Sequence, residues 1–298
     1  MTPDQYCQDK AAQSGSSFYY AFLFLPPRPR AAITALYAFY REVDDTVDEI
    51  EDSAVARAKL LWWRGELRQL YAGQPSHPVT RALQPHLEAF DISHQHLSEI
   101  IDGMEMDLDQ TRYLDFPGLA RYCHHVAGVV GLLAARIFGG RDPATFEYAA
   151  RLGLAFQLTN IIRDVGEDAR KGRIYLPMDE LKRFEVPAAD ILNRRYSERF
   201  TALMRFQAER AEQAYDAALA LLPAAERRGQ RPGLIMAGIY RALLREIVAS
   251  EFQVLHQRIS LTPLRKLWIA WRIWVRPGSL GATRAPAATV PPAPPRQT

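Results

Sequence analysis

The chain has 298 residues, 48% of them hydrophobic and 24% charged, with a net charge of +3. So mild a basic excess gives no reason to expect a nucleic-acid partner, and two cysteines, Cys7 and Cys123, supply no disulfide framework and suit a reducing compartment. No apolar run approaches the roughly 20 residues that span a bilayer, and Met1-Thr2-Pro3-Asp4-Gln5-Tyr6 lacks the regions of a signal peptide. A cytoplasmic protein is expected, at most peripheral on the inner face of a membrane.

Strand signals are nearly absent and helical spacing recurs. Pro26-Pro27 opens a helix through Ile33, Leu36, Tyr37, Tyr40, Val43 and Val47. Ser53 reads as the N-cap of a helix that Gly73 closes, and Ser93 caps another running to Asp109. Pro117 starts one that reaches Gly139-Gly140, and Asp142-Pro143 caps the next. Arg170-Lys171-Gly172-Arg173 is a basic loop ended by Tyr175-Leu176-Pro177, and long helices are predicted over 196–222 and 233–258. No internal repeat interrupts this pattern. The expectation is one all-α domain over residues 1–275 and a disordered Pro/Ala-rich tail over 276–298. Before the tail, Leu264, Leu267, Trp268, Trp271, Trp274 and Val275 share a helical face beside Arg265, Lys266, Arg272 and Arg276. Residues 264–275 are therefore either a helix docked on the domain or an interfacial helix in peripheral membrane contact.

Two acidic patterns carry the chemistry: Arg41-Glu42-Val43-Asp44-Asp45-Thr46-Val47-Asp48 and Asn160-Ile161-Ile162-Arg163-Asp164-Val165-Gly166-Glu167-Asp168. Asp44 and Asp48, like Asp164 and Asp168, are four apart and share one face of a helix. Like charges so spaced destabilise a helix by roughly 0.2–0.5 kcal/mol per pair. A solvated surface would explain one such pair. Two pairs, each reached through an apolar run, suggest carboxylates offered to Mg²⁺ that also grips phosphate. Gln157 and Asn160 extend the second line along the same face, and Arg41, Arg163, Arg170, Lys171 and Arg173 could hold phosphate oxygens. Phosphate-binding glycine loops, zinc spacings and the Glu-x-x-His of di-iron bundles are all absent.

These residues resemble the squalene/phytoene synthases, the head-to-head prenyl synthases. Asp44, Asp48, Asp164 and Asp168 match that family's two aspartate motifs. Tyr37-Ala38-Phe39-Tyr40-Arg41 matches the aromatic run before the first, and Asn160, Arg163, Arg173 and Tyr175 match the second and its loop. Tyr122-Cys123-His124-His125-Val126-Ala127-Gly128-Val129-Val130-Gly131 is similar to the family's central helix, where small residues leave room for a prenyl chain. Many members carry His-Ser-Lys-Ser-Phe near the N-terminus, of which only Ser17-Phe18 align here. With Phe22-Leu23-Phe24-Leu25-Pro26-Pro27, this version resembles the bacterial presqualene diphosphate synthases of hopanoid pathways.

The resemblance implies an isoprenoid-synthase-type helical bundle around a deep apolar cavity. Asp44, Asp48, Asn160, Asp164 and Asp168 would hold Mg²⁺, with Mn²⁺ as a substitute. Ser17, Arg41, Arg163, Arg173 and Tyr175 would bind diphosphate. Phe18, Tyr37, Ala127, Gly128, Gly131, Phe156 and Gln157 would line the prenyl cavity. The implied reaction joins two farnesyl diphosphates to presqualene diphosphate, with no NADPH for that half-reaction. Phytoene, dehydrosqualene or squalene synthesis is the alternative within the family, and a non-catalytic isoprenoid- or membrane-binding helical protein the alternative outside it.

Overall fold

In the computed structural model, which describes residues 1–13 and 18–276, helices follow one another along the chain. They are α1 (Pro3–Gln13), α2 (Phe18–Phe22), α3 (Pro27–Asp48), α4 (Ser53–Tyr71), α5 (Pro78–Leu83), α6 (His94–Asp109), α7 (Phe116–Cys123), α8 (Val129–Ile137), α9 (Pro143–Arg170), α10 (Met178–Arg183), α11 (Ala188–Leu192), α12 (Glu198–Leu221), α13 (Arg231–Ala249) and α14 (Pro263–Val275). A π-helical turn, His124–Gly128, joins α7 to α8. Among the described residues the only β pairing is one bridge, Arg112 with Ile174. The all-α expectation holds. Ser17 and residues 277–298 lie outside the described residues. No described helix is long and apolar enough to cross a membrane.

Capping chemistry sets most helix starts. The Ser93, Asp142, Ser197 and Thr262 side chains accept the backbone N–H groups that open α6, α9, α12 and α14. Two starts differ from the sequence reading. Asp52, not Ser53, caps α4 by accepting from Ala54 and Val55. Asp115 caps α7 and places Pro117 in its first turn. The stop of α13 differs more. The predicted helix over 233–258 ends at Ala249, because Glu251 and Phe252 take positive φ values of 52° and 59°. This bend buries Phe252 and turns residues 253–262 back along the bundle. No glycine signals it.

Buried side chains from Cys7 to Ile273 form one continuous apolar core. Helix α9 packs on α12, α8 and the π turn, while α3 packs on α1, α5 and α6. The crossing of α9 with the π turn is tight. A Cβ on Gly153 would stand 2.4 Å from the Ala127 carbonyl oxygen, and one on Gly131 2.4 Å from that of Ala149. Gly153→Val should therefore destabilise by roughly 3 kcal/mol, since neither backbone can yield cheaply. At roughly 2–4 °C per kcal/mol, thermal denaturation would report it. An unchanged melting temperature would contradict the crossing.

Helix α14 docks on α13 through Ile269, Ala270 and Ile273, and Trp274 stacks on Phe24 at 5.1 Å. Trp274 thus belongs to the docked side, in contrast to its placement on one face with Leu264, Leu267, Trp268, Trp271 and Val275. Those five are exposed.

Candidate active site

Helices α3 and α9 make almost no direct contact and are separated by a cavity they both line. Its volume is about 410 Å³, and Asp44, Asp48, Asp164 and Asp168 all face it. Each pair sits in the last turns of its helix: α3 ends at Asp48 and α9 at Arg170. Helix C-termini carry partial negative charge, so anions there add a cost of roughly 0.3–1 kcal/mol each to their mutual repulsion. Both costs fall on the same four residues.

Cations offset part of this. Arg41 donates from Nη1 to Asp44 at 2.7 Å and from Nη2 to Asp45 at 2.5 Å. Arg173 donates to Asp48 at 3.0 Å, and Lys171 approaches the same oxygen at 3.2 Å, so the basic loop after α9 reaches across to the end of α3. Arg163 grips Asp164 with two hydrogen bonds, of 2.7 and 2.5 Å, and Arg258 adds one of 3.0 Å. Among the described residues Asp168 has no ion-pair partner. Ionisation diverges accordingly. Burial, with Asp48 adding to it, raises the Asp44 carboxyl to about 7. Burial and then Asp164 push Asp168 well above the usual carboxylate range. Burial also acts on Asp164, but Arg163 and Arg258 outweigh it and hold that carboxyl below its usual value.

The donors suit a hard divalent cation. All are oxygens, which favours Mg²⁺ or Mn²⁺ over softer ions. Asn160 lines the cavity, donates to Gln157 at 3.2 Å, and leaves its own buried Oδ1 with no hydrogen-bond partner. A buried carbonyl oxygen without a donor is costly unless something positive meets it. Among the described residues no three acidic, His or Cys side chains converge to enclose an ion unaided. Mg²⁺ commonly completes its octahedron with water and substrate phosphate, and such a shell is what this donor set leaves room for.

Below the carboxylates the cavity continues into an apolar channel of about 110 Å³. Phe18, Tyr37 and Gln157 line both parts, and Ala127, Gly131 and Phe156 line the channel. Gly128 does not line it. It is buried where a Cβ would meet His124 Nδ1 at 2.9 Å, so its smallness serves packing. Phe22, Phe138 and Tyr148 also line the channel. Val126 is shared with the upper cavity, so Phe138, twelve residues on, lies about 18 Å away at helical rise.

Several site residues escaped the sequence reading. Asp107 faces the cavity from α6 and accepts from the Tyr122 hydroxyl at 2.9 Å and the Tyr175 hydroxyl at 2.6 Å. Burial, only partly offset by Tyr175 and Arg173, lifts its carboxyl to about 6. Its signal was present: Ile100, Met104 and Asp107 form one buried stripe at spacings of four and three. Tyr175 reaches it because Ile174 N–H bonds the Thr111 carbonyl and pins the basic loop beside the end of α6. Arg258 and Lys266 also line the cavity. Nothing in their local sequence indicates this, because the return of residues 253–262 brings them there.

Residues 11–265 match the family described as squalene/phytoene synthase. The chain is 38% identical over 274 residues to a phytoene synthase of Arthrospira platensis, spanning 88% of this chain and 89% of the relative. It is 35% identical over 282 residues to a 15-cis-phytoene synthase of Synechocystis, spanning 91% and 84%. Among solved structures, a dehydrosqualene synthase in complex with ligand superposes with a TM-score of 0.81 at 29% identity, covering 91% of this chain and 95% of that one. Squalene synthase HpnC from Alicyclobacillus acidocaldarius superposes with a TM-score of 0.74 at 26% identity, covering 84% and 94%. The similarity is thus spread over phytoene, dehydrosqualene and squalene synthases, and does not single out the hopanoid subgroup.

Proposed function

The chain belongs to the squalene/phytoene synthase family, a family of prenyltransferases, and from that premise we propose that it condenses two farnesyl diphosphates head-to-head to presqualene diphosphate, releasing one diphosphate. The observation that carries this reading is the junction of two carboxylate pairs and their cations with an apolar channel, one end for a diphosphate and the other for a hydrocarbon chain. Mg²⁺ held by Asp44, Asp48, Asn160, Asp164 and Asp168 would supply Lewis-acid polarisation of the departing diphosphate. Arg41 and Arg173 exchange their carboxylate partners for phosphate oxygens when substrate arrives. Phe18, Tyr37 and Phe156 present ring faces to the allylic cation, and the apolar walls keep water from it. Tyr122 and Tyr175 commit their hydroxyl protons to Asp107. The departed diphosphate takes the proton whose loss closes the cyclopropane. The proposed substrate is amphiphilic enough to partition into a membrane, and the proposed reaction is a cytoplasmic one.

Phytoene synthesis from geranylgeranyl diphosphate is the second reading, favoured by the names of the most similar sequences reported above. Chain length separates the two. Phe22 and Phe138, with ring centroids 6.5 Å apart, occupy the channel where a longer chain would extend. Given farnesyl and geranylgeranyl diphosphates in competition, the wild type should yield the C30 product, and Phe22→Ala should admit the longer substrate. Wild-type preference for the C20 substrate would establish the second reading instead.

A further inference from the structure

Beyond Glu251 the sequence holds no acidic residue and seven basic ones, from Arg258 to Arg296. Those seven charges exceed the whole chain's +3, so residues 1–251 carry −4. Helix α14 lies within this basic segment. Its inner side packs on α13, while Leu264, Leu267, Trp268, Trp271 and Val275 are 43–79% exposed. Exposed tryptophan beside basic residues, on a helix too short to span, is the composition of an element lying in a headgroup layer. Arg272 spreads over the Trp268 ring, 4.7 Å from its centroid, and Arg276 follows the last turn. The same helix borders the cavity: Lys266 lines the mouth with Ile259 and Leu261.

We propose that α14 docks on an anionic lipid surface and thereby seats the mouth of the cavity at the headgroup layer. Two other occupants fit less well. A second copy would bring two basic faces together at an energetic cost. The chain's own residues 277–298 offer only Leu280 and Val290 as large apolar side chains. Resting on the proposed function, the docking has a consequence for catalysis. A prenyl diphosphate holds its chain in the bilayer and its diphosphate at the surface, and Lys266 meets that diphosphate at the mouth. Substrate then passes from lipid to channel without crossing water.

The binding test needs no substrate. Full-length protein is co-sedimented with vesicles of phosphatidylcholine alone and of phosphatidylcholine with phosphatidylglycerol, at physiological ionic strength. Binding should require the anionic lipid and weaken with added salt. The exposed triple variant Leu267→Ser/Trp268→Ser/Trp271→Ser should fold normally and bind roughly tenfold or more weakly. Arg272→Glu/Arg276→Glu should keep the apolar face and lose the preference for anionic lipid. With farnesyl diphosphate embedded in vesicles the triple variant should be slow, yet match wild type on detergent-solubilised substrate. Wild-type protein that stays in the supernatant, or a triple variant that sediments equally, overturns the proposal. So does a lipid-free dimer that the triple substitution dissolves. Vesicle binding without any condensation would leave the docking intact and count against the proposed reaction alone.

Discussion

Asp44→Asn and Asp168→Asn should each lower turnover by two to three orders of magnitude while leaving the folded state as stable as wild type or more so. In the proposed metal-holding role, loss of one carboxylate removes several kcal/mol of charge stabilisation, on the order of 10²–10³ in rate. Stability moves the other way because both charges are held at a cost. The Asp44 carboxyl is raised from 3.8 to about 7 by burial and by Asp48. Its folded state therefore binds the proton more tightly than the unfolded chain does. That contribution is complete below about pH 4 and is lost as pH rises through 7. Ligand-free wild type should lose stability across this window, and Asp44→Asn should lose less. Melting curves at pH 4 and pH 8 measure the difference. Asp164 behaves oppositely, its carboxyl being lowered by Arg163 and Arg258 against the effect of burial. Asp164→Ala strands the part-buried Arg163 guanidinium and should lower the melting temperature as well as the rate. Repulsion within each pair, which the spacing suggests, adds to burial at Asp44 and at Asp168, and is outweighed at Asp164 by its two arginines. Near-normal turnover in Asp44→Asn or Asp168→Asn would remove the metal-binding role.

Arg173→Met should nearly abolish activity and also weaken the fold. The guanidinium is part-buried, bonds Asp48 at 3.0 Å, and is held charged, against burial, by Tyr175, Asp107 and Asp48. Without it Asp48, Asp107 and Asp168 repel one another with less compensation. In the proposed diphosphate-binding role, the substrate's phosphate oxygens would also lose a planar two-pronged donor. A drop of roughly 10²–10³ in kcat/KM is expected, corresponding to about 3–4 kcal/mol. Inhibition by inorganic diphosphate should weaken in parallel. Arg173→Lys should restore much of the stability and little of the diphosphate affinity, since one ammonium replaces the charge but not the fork. Unchanged diphosphate inhibition in both variants would reduce the arginine to a surface contact.

The helices and their caps were largely legible, because apolar spacing and side chains such as Ser93 and Asp142 act locally. The two acidic patterns were legible for the same reason: spacing of four places both carboxylates of a pair on one face. What escaped depends on chain return. Arg258 and Lys266 reach the mouth only because Glu251 and Phe252 bend the backbone where no glycine or proline marks a turn. Asp107 lay on a readable apolar stripe, yet its role depends on Tyr122 and Tyr175 arriving from two other segments. Gly128 reads as cavity wall from the sequence because smallness has two uses. Only the packing tells room for a ligand from room for a neighbouring helix.

Mass analysis of the products formed from farnesyl diphosphate and Mg²⁺ without reductant tests the proposed metal-dependent head-to-head condensation. A C30 diphosphate is expected, with one inorganic diphosphate released for each molecule formed, abolished by chelation and by Asp168→Asn. Recovery of farnesol alone, or of no C30 species at any Mg²⁺ concentration, would contradict it.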